Sequence, residues 1–218
     1  MIIGVTALDP TTDTETRLRH SVRRSTFAIV GAVALFVLYS VQPAPGPIAL
    51  PSALRPLAEA IIAPVNVTTM LVAATAIAVV AMVRTLPYGV GAVLTLCIGA
   101  NVTSAGIRTW VGDEASWALL PSGHLVAVAA VLGAALLVAA PRFVPAIRGL
   151  GFVTVVATAG AAAMVGPTSA FGLVASLGIV AVWWLVASTV MLYSPDAKKR
   201  EELRPDTAAI AFSRRRYY

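Results

Sequence analysis

The chain has 218 residues, of which 58% are hydrophobic and only 12% charged, at a mean hydropathy of +0.85; this excludes an ordinary soluble globular domain and leaves a lipid bilayer as the solvent. The formal net charge of +6 is scattered over chain ends and short loops, without the aromatic interleaving of a base-stacking surface, so no nucleic-acid partner is expected. The single cysteine, Cys97, sits inside an apolar run; no intrachain disulfide is possible, a cysteine-rich metal site is excluded, and neither a metal nor another cofactor is expected.

Residues 1–24 form a polar N-terminal tail ending in Arg17, Arg19, Arg23 and Arg24. The apolar run behind it is long enough to span, so the segment does not read as a cleaved secretory signal. Six apolar runs follow, each bounded by charge, proline or glycine: Ser25 to Val41, Val65 to Val83, Tyr88 to Ile107, Leu125 to Ala140, Gly149 to Gly166 and Phe171 to Tyr193. A helix needs about 20 apolar residues to cross the ~30 Å hydrocarbon core, and the fourth run, the shortest, is expected to begin within the Pro121-Ser122-Gly123-His124 turn. The expected fold is therefore all-α: a polytopic membrane protein with six transmembrane helices over residues 25–193, and a basic tail over 194–218.

Alternation of the loops gives the orientation. With the N-terminus in the cytoplasm, every Lys and Arg except Arg55 and Arg108 falls on the cytoplasmic side, as the positive-inside rule requires. An odd number of spans would move one tail across and spoil that asymmetry, so both termini are expected in the cytoplasm and the protein in a bacterial inner membrane. The alanine, valine and glycine bias, with arginine preferred to lysine, resembles that of a high-GC bacterium.

Within the proline-rich external connection from Val41 to Asn66, Leu54, Leu57, Ala58, Ile61 and Ile62 fall at helical spacing, with Arg55 and Glu59 on another face. That pattern fits a short amphipathic helix on the outer interface, or an ordinary loop with some apolar residues. Trp110, Trp117, Tyr88 and Tyr193 flank spans, where amphipathic rings favour the headgroup zone. Trp183 and Trp184 lie inside the last span, in packing or lipid-facing roles or against a quinone or carotenoid. The Asn-Val-Thr triplets at Asn66 and Asn101 match a glycosylation acceptor formally, but sit at or inside spans. The tail clusters Lys198 to Arg200 and Arg214 to Arg216 suit anionic headgroups or an acidic partner, or simply fix topology.

Pro121-Ser122-Gly123-His124 stands where the chain re-enters the membrane from outside. Glycine beside a helix N-terminus lets backbone amides approach an anion, the helix dipole favours negative charge there, and an adjacent histidine can protonate a leaving oxygen. The motif, its place before the fourth of six helices, and the upstream run Gly99 to Arg108 together resemble the type 2 phosphatidic acid phosphatase superfamily, the lipid phosphate phosphatases, over roughly Val65 to Val190. The family carries Lys, six residues, Arg-Pro; then Pro-Ser-Gly-His; then Ser-Arg, five residues, His, three residues, Asp.

The resemblance implies that His124 takes the general-acid position and that Arg108, Ser122 and Gly123 take phosphate-contacting ones. Arg108 stands at the first-motif Lys or, in another register, at the Arg with Asn101 at the Lys. The third motif is empty. Its best register sets Thr168 at the nucleophilic His, Gly172 at the Asp and Ala161-Ala162 at the Ser-Arg, and Gly149 to Pro195 contains no Asp, Glu, Lys, Arg or His in any register. The only other histidine, His20, lies at the cytoplasmic end. Losing one element of a phosphoryl-transfer site costs on the order of 10²-fold or more, and here the nucleophile, its orienting carboxylate and at least two cations are missing.

The expected function is a catalytically degenerate phosphatidic acid phosphatase-like membrane protein, with no confident catalytic residue, serving as a non-enzymatic accessory subunit. Its expected partners are membrane lipids and other membrane protein subunits. The alternative is a lipid or polyprenyl phosphate phosphatase with a rebuilt external site around His124. A transporter is disfavoured, because no ionisable residue inside the spans is placed to relay protons or pair with a substrate.

Overall fold

The computed structural model describes residues 10–41, 52–111, 119–166 and 168–192. The basic tail, the proline run before residue 52, and the loop bearing Asp113, Glu114 and Trp117 lie outside the described residues, as does Tyr193. Among the described residues there is helix and no strand. The helices are α1 (Pro10–Val41), α2 (Arg55–Ile62), α3 (Val67–Val83), α4 (Pro87–Val111), α5 (Gly123–Val138), α6 (Val144–Val165) and α7 (Ala170–Leu192), with one 3-10 turn at Ser52–Leu54.

Four stretches are long and apolar enough to cross a membrane: Leu18–Val41, Tyr88–Val111, Val144–Val165 and Ala170–Leu192. The 17-residue α3 and 16-residue α5 extend only about 25 Å each at 1.5 Å per residue. α2 and α3 meet at 51° and together pass the same length test as one broken span. Pro64 and the capping of α3 cause the break: Asn66 Oδ1 accepts the Thr69 amide at 2.9 Å, and Thr69 Oγ1 accepts the Asn66 amide at 3.2 Å. Such a reciprocal box starts a new helix rather than continuing the old one.

Several boundaries differ from the sequence expectation. α1 starts at Pro10, so much of the expected polar tail is helical; α4 runs on to Val111 and carries Arg108 and Trp110; α6 starts at Val144 and carries Arg148. Apolar periodicity marks where a helix becomes lipid-compatible, and the helix itself continues through polar turns that still satisfy its backbone. The short helix expected between the first two apolar runs is present as α2. Its Ala58 is buried, and the element packs on α6 rather than standing apart.

Alanines recur in the interior among larger side chains such as Leu96, Leu125 and Ile179, and many large apolar side chains cover the exterior. Ala92, Ala100, Ala130, Ala134, Ala175 and Ala187 are buried, whereas Phe27, Ile29, Leu71, Val72, Phe152 and Val153 are exposed. An exterior this apolar departs from that of a water-soluble fold and is consistent with a membrane-spanning protein, whose helices associate through close backbone approach. α5 occupies the centre, against α3, α4, α6 and α7, and α1 lies outside on α7.

Glycines set two of these approaches. A Cβ on Gly99 of α4 would stand 2.4 Å from the Trp183 ring of α7, whose Nε1 donates to Thr103 Oγ1 at 2.9 Å. Trp183 is thus a packing residue with its polar edge satisfied. Between α1 and α7 the fit is reciprocal: Gly31 faces Val182 and Gly178 faces Leu35. At the opposite end from the Pro121–His124 turn, Arg24 donates to the Ser188 carbonyl at 3.1 Å and Arg84 donates to the Val138 carbonyl, placing cations on the last turns of α7 and α5, where the helix dipole favours them.

Candidate functional site

Four helices bring their ends together around residues 119–124. α1 contributes Phe36 and Tyr39, α4 contributes Arg108 and Trp110, α7 contributes Phe171 and Ser176, and α5 begins there at Gly123. Aromatic pairs fix the approach. Phe36 stacks on Trp110 with centroids 5.5 Å apart, and Tyr39 meets Phe171 edge-on at 5.4 Å. Leu119, Leu120, Pro121 and Ser122 are all buried, so this connection is part of the core and its polar groups need partners.

Those partners are specific. Arg108 reaches from the last turn of α4, and its Nε and Nη2 donate to the Pro121 carbonyl at 3.2 and 2.5 Å. The Ser122 amide donates to Ser176 Oγ at 2.8 Å, and Ser176 Oγ in turn donates to the Gly172 carbonyl one turn back at 2.6 Å. Ser122 is the N-cap of α5, and its hydroxyl makes no capping bond. The guanidinium rests against the start of α5, where a Cβ on Gly123 would lie 3.4 Å from Arg108 Nη2. The first amides of that helix, at Gly123, His124 and Leu125, have no acceptor within the helix itself.

The four residues expected to contact phosphate divide accordingly. Arg108, Ser122 and Gly123 are brought together, while His124 is exposed. Asn101, the alternative first-motif position, lies about two turns down α4, where its Nδ2 donates to the Cys97 carbonyl at 2.8 Å. Thr168 is half-buried between α6 and α7. Gly172, at the position of the orienting carboxylate, donates its amide to Ser169 Oγ at 3.3 Å and so belongs to the N-terminal cap of α7. Glu59 is the sole carboxylate among the described side chains, and it pairs with Arg55 at 3.1 Å on α2.

Sequence reasoning passed over Tyr39 and Ser176. Tyr39 is 4% exposed, and its hydroxyl has no hydrogen-bond partner. Ser176 is fully buried and secures the turn from 54 residues away. Neither carries a local signature: each is one small or aromatic residue in an apolar helix, and only tertiary packing assigns it a partner.

No family model, curated protein or solved structure matches the chain. Chemically, the arrangement joins one guanidinium, a helix N-terminus and a solvent-facing imidazole, which suits an anion. It brings no activated nucleophile beside them: Ser176 is committed at both its oxygen and its proton, and the described residues hold no group of three or more His, Cys, Asp or Glu.

Proposed function

We propose that this chain is a catalytically degenerate member of the type 2 phosphatidic acid phosphatase superfamily, spanning a bacterial inner membrane six times with both ends in the cytoplasm. In this reading it serves a larger membrane complex as a non-enzymatic accessory subunit. One observation carries the proposal. The groups that would cradle a phosphate are turned inward to hold the chain together, with Arg108 on the Pro121 carbonyl and the Ser122 amide on Ser176.

An active site keeps such donors free or weakly held until the transition state needs them. Here they satisfy buried backbone, and withdrawing them for a substrate would expose a carbonyl and an amide in the core, a loss of about 1–3 kcal/mol each. The lipid-phosphate turn has become a structural joint in this proposal. The apolar exterior with small residues beneath it suits packing against further membrane helices.

The test has two parts on the purified full-length chain. Phosphate release from phosphatidate or undecaprenyl diphosphate is expected at background and unchanged in His124→Ala. Extraction in mild detergent is expected to recover stoichiometric membrane partners. Turnover abolished by His124→Ala would instead establish a rebuilt phosphatase, and a chain that purifies alone and monodisperse would remove the accessory role.

A further inference from the structure

The turns joining α3 to α4 and α5 to α6, with the first two turns of α6, carry three arginines and no acidic residue. Arg84 closes α3, and its guanidinium donates to the Val138 carbonyl at the end of α5, which ties the two turns together. Arg142 stands in the second turn with its guanidinium carbon 4.7 Å from the centroid of the Phe143 ring, and that ring is 51% exposed. Arg148 is exposed in the next turns of α6. The sequence has no Asp or Glu in 60–112 or 115–195, so nothing on these elements neutralises the three charges. Glu59 is at the far end of α3 and occupied by Arg55.

We infer that this end of the bundle is a binding surface for the phosphate groups of anionic lipids. Guanidinium presents paired donors that match a phosphate's oxygens. Arg142 is already held by an aromatic ring, so less side-chain freedom is lost on binding, and Arg84, whose donor is spent on a helix end, adds its charge. The surroundings decide for a lipid over a soluble acidic protein. Phe143 offers an exposed apolar ring beside Arg142, and further along α6 Leu150 and Val153 present exposed apolar side chains along which an acyl chain can lie. A soluble partner would cover the charges and leave that apolar flank bare. The inference rests on the bundle spanning a bilayer, and it is independent of how the Pro121–His124 turn is read.

Detergent-solubilised full-length protein, titrated with short-chain phosphatidylglycerol or short-chain phosphatidylcholine under native mass spectrometry, tests it. The native chain should bind phosphatidylglycerol the more tightly, by about 25-fold, and lose that margin as salt is raised. Arg142→Gln with Arg148→Gln should lower phosphatidylglycerol affinity by roughly fivefold per arginine and leave phosphatidylcholine binding unchanged. Both side chains are exposed, so the variant should melt with the native protein. Arg55→Gln, at the other end, should change nothing. Equal binding of the two lipids by the native chain, or native phosphatidylglycerol affinity in the double variant, would overturn the inference.

Discussion

Arg108 and His124 both stand at the start of α5, one bonded to buried backbone and the other exposed. Arg108 supplies two donors to one buried carbonyl, so Arg108→Ala should leave Pro121 unsatisfied and destabilise the fold by about 1–3 kcal/mol. Ser176→Ala removes the acceptor of the Ser122 amide and should lower stability by a similar, somewhat smaller amount. His124 is exposed, and His124→Ala should stay within about 0.5 kcal/mol of the native protein. Thermal unfolding of the three variants in one detergent checks the order; a His124→Ala loss matching that of Arg108→Ala would mean the imidazole is built into the joint. The sequence names Arg108 and His124 because they sit in or near a recognisable motif. It is silent on Ser176 and Tyr39, whose roles depend on contacts between helices far apart in the chain, and a lone serine in an apolar helix has no period or spacing to betray it.

At the scale of helices, glycine positions that look equivalent in sequence divide sharply. Gly99 faces the Trp183 ring so closely that an added methyl would stand 2.4 Å from it, whereas Gly160 of α6 has nothing within 4 Å. Gly99→Ala must therefore push α4 and α7 apart or turn the indole off Thr103, at about 1–3 kcal/mol. Gly160→Ala should be neutral or stabilising by up to about 1 kcal/mol, because alanine is the better helix former and meets no neighbour. Melting temperatures of the two variants in detergent test this, and equal losses would refute the packing argument. Helix existence was legible from apolar runs for all six long elements, including the start of α5 inside the Pro121–His124 turn. Helix ends were less so. The overruns of α1, α4 and α6 pass through polar or charged residues that hydropathy counts as loop, although a helix tolerates them wherever they reach a carbonyl or solvent.

For the whole molecule the open quantity is how many of these helices cross. α3 and α5 extend only about 25 Å, short of the ~30 Å core, yet their surroundings differ. α5 is enclosed by α3, α4, α6 and α7, so lipid does not set the length it must reach. α3 exposes Leu71, Val72, Val79, Val80, Met82 and Val83, and a helix with that much apolar side chain facing outward is stable only in lipid, with the bilayer thinning locally or α2 completing the span. In the proposed six-span arrangement both cross, and the two tails share a side. This has a direct test, because Cys97 is the chain's only cysteine and Cys97→Ala gives a clean background. Ser52→Cys, ahead of α2, should react with a membrane-impermeant maleimide added to intact cells. Ser213→Cys in the C-terminal tail and Thr12→Cys near the N-terminus should both react only in inverted vesicles. If one short helix fails to cross, Thr12→Cys and Ser213→Cys label from opposite sides; if both fail, Thr85→Cys, between α3 and α4, reacts from outside intact cells; either result overturns the six-span arrangement.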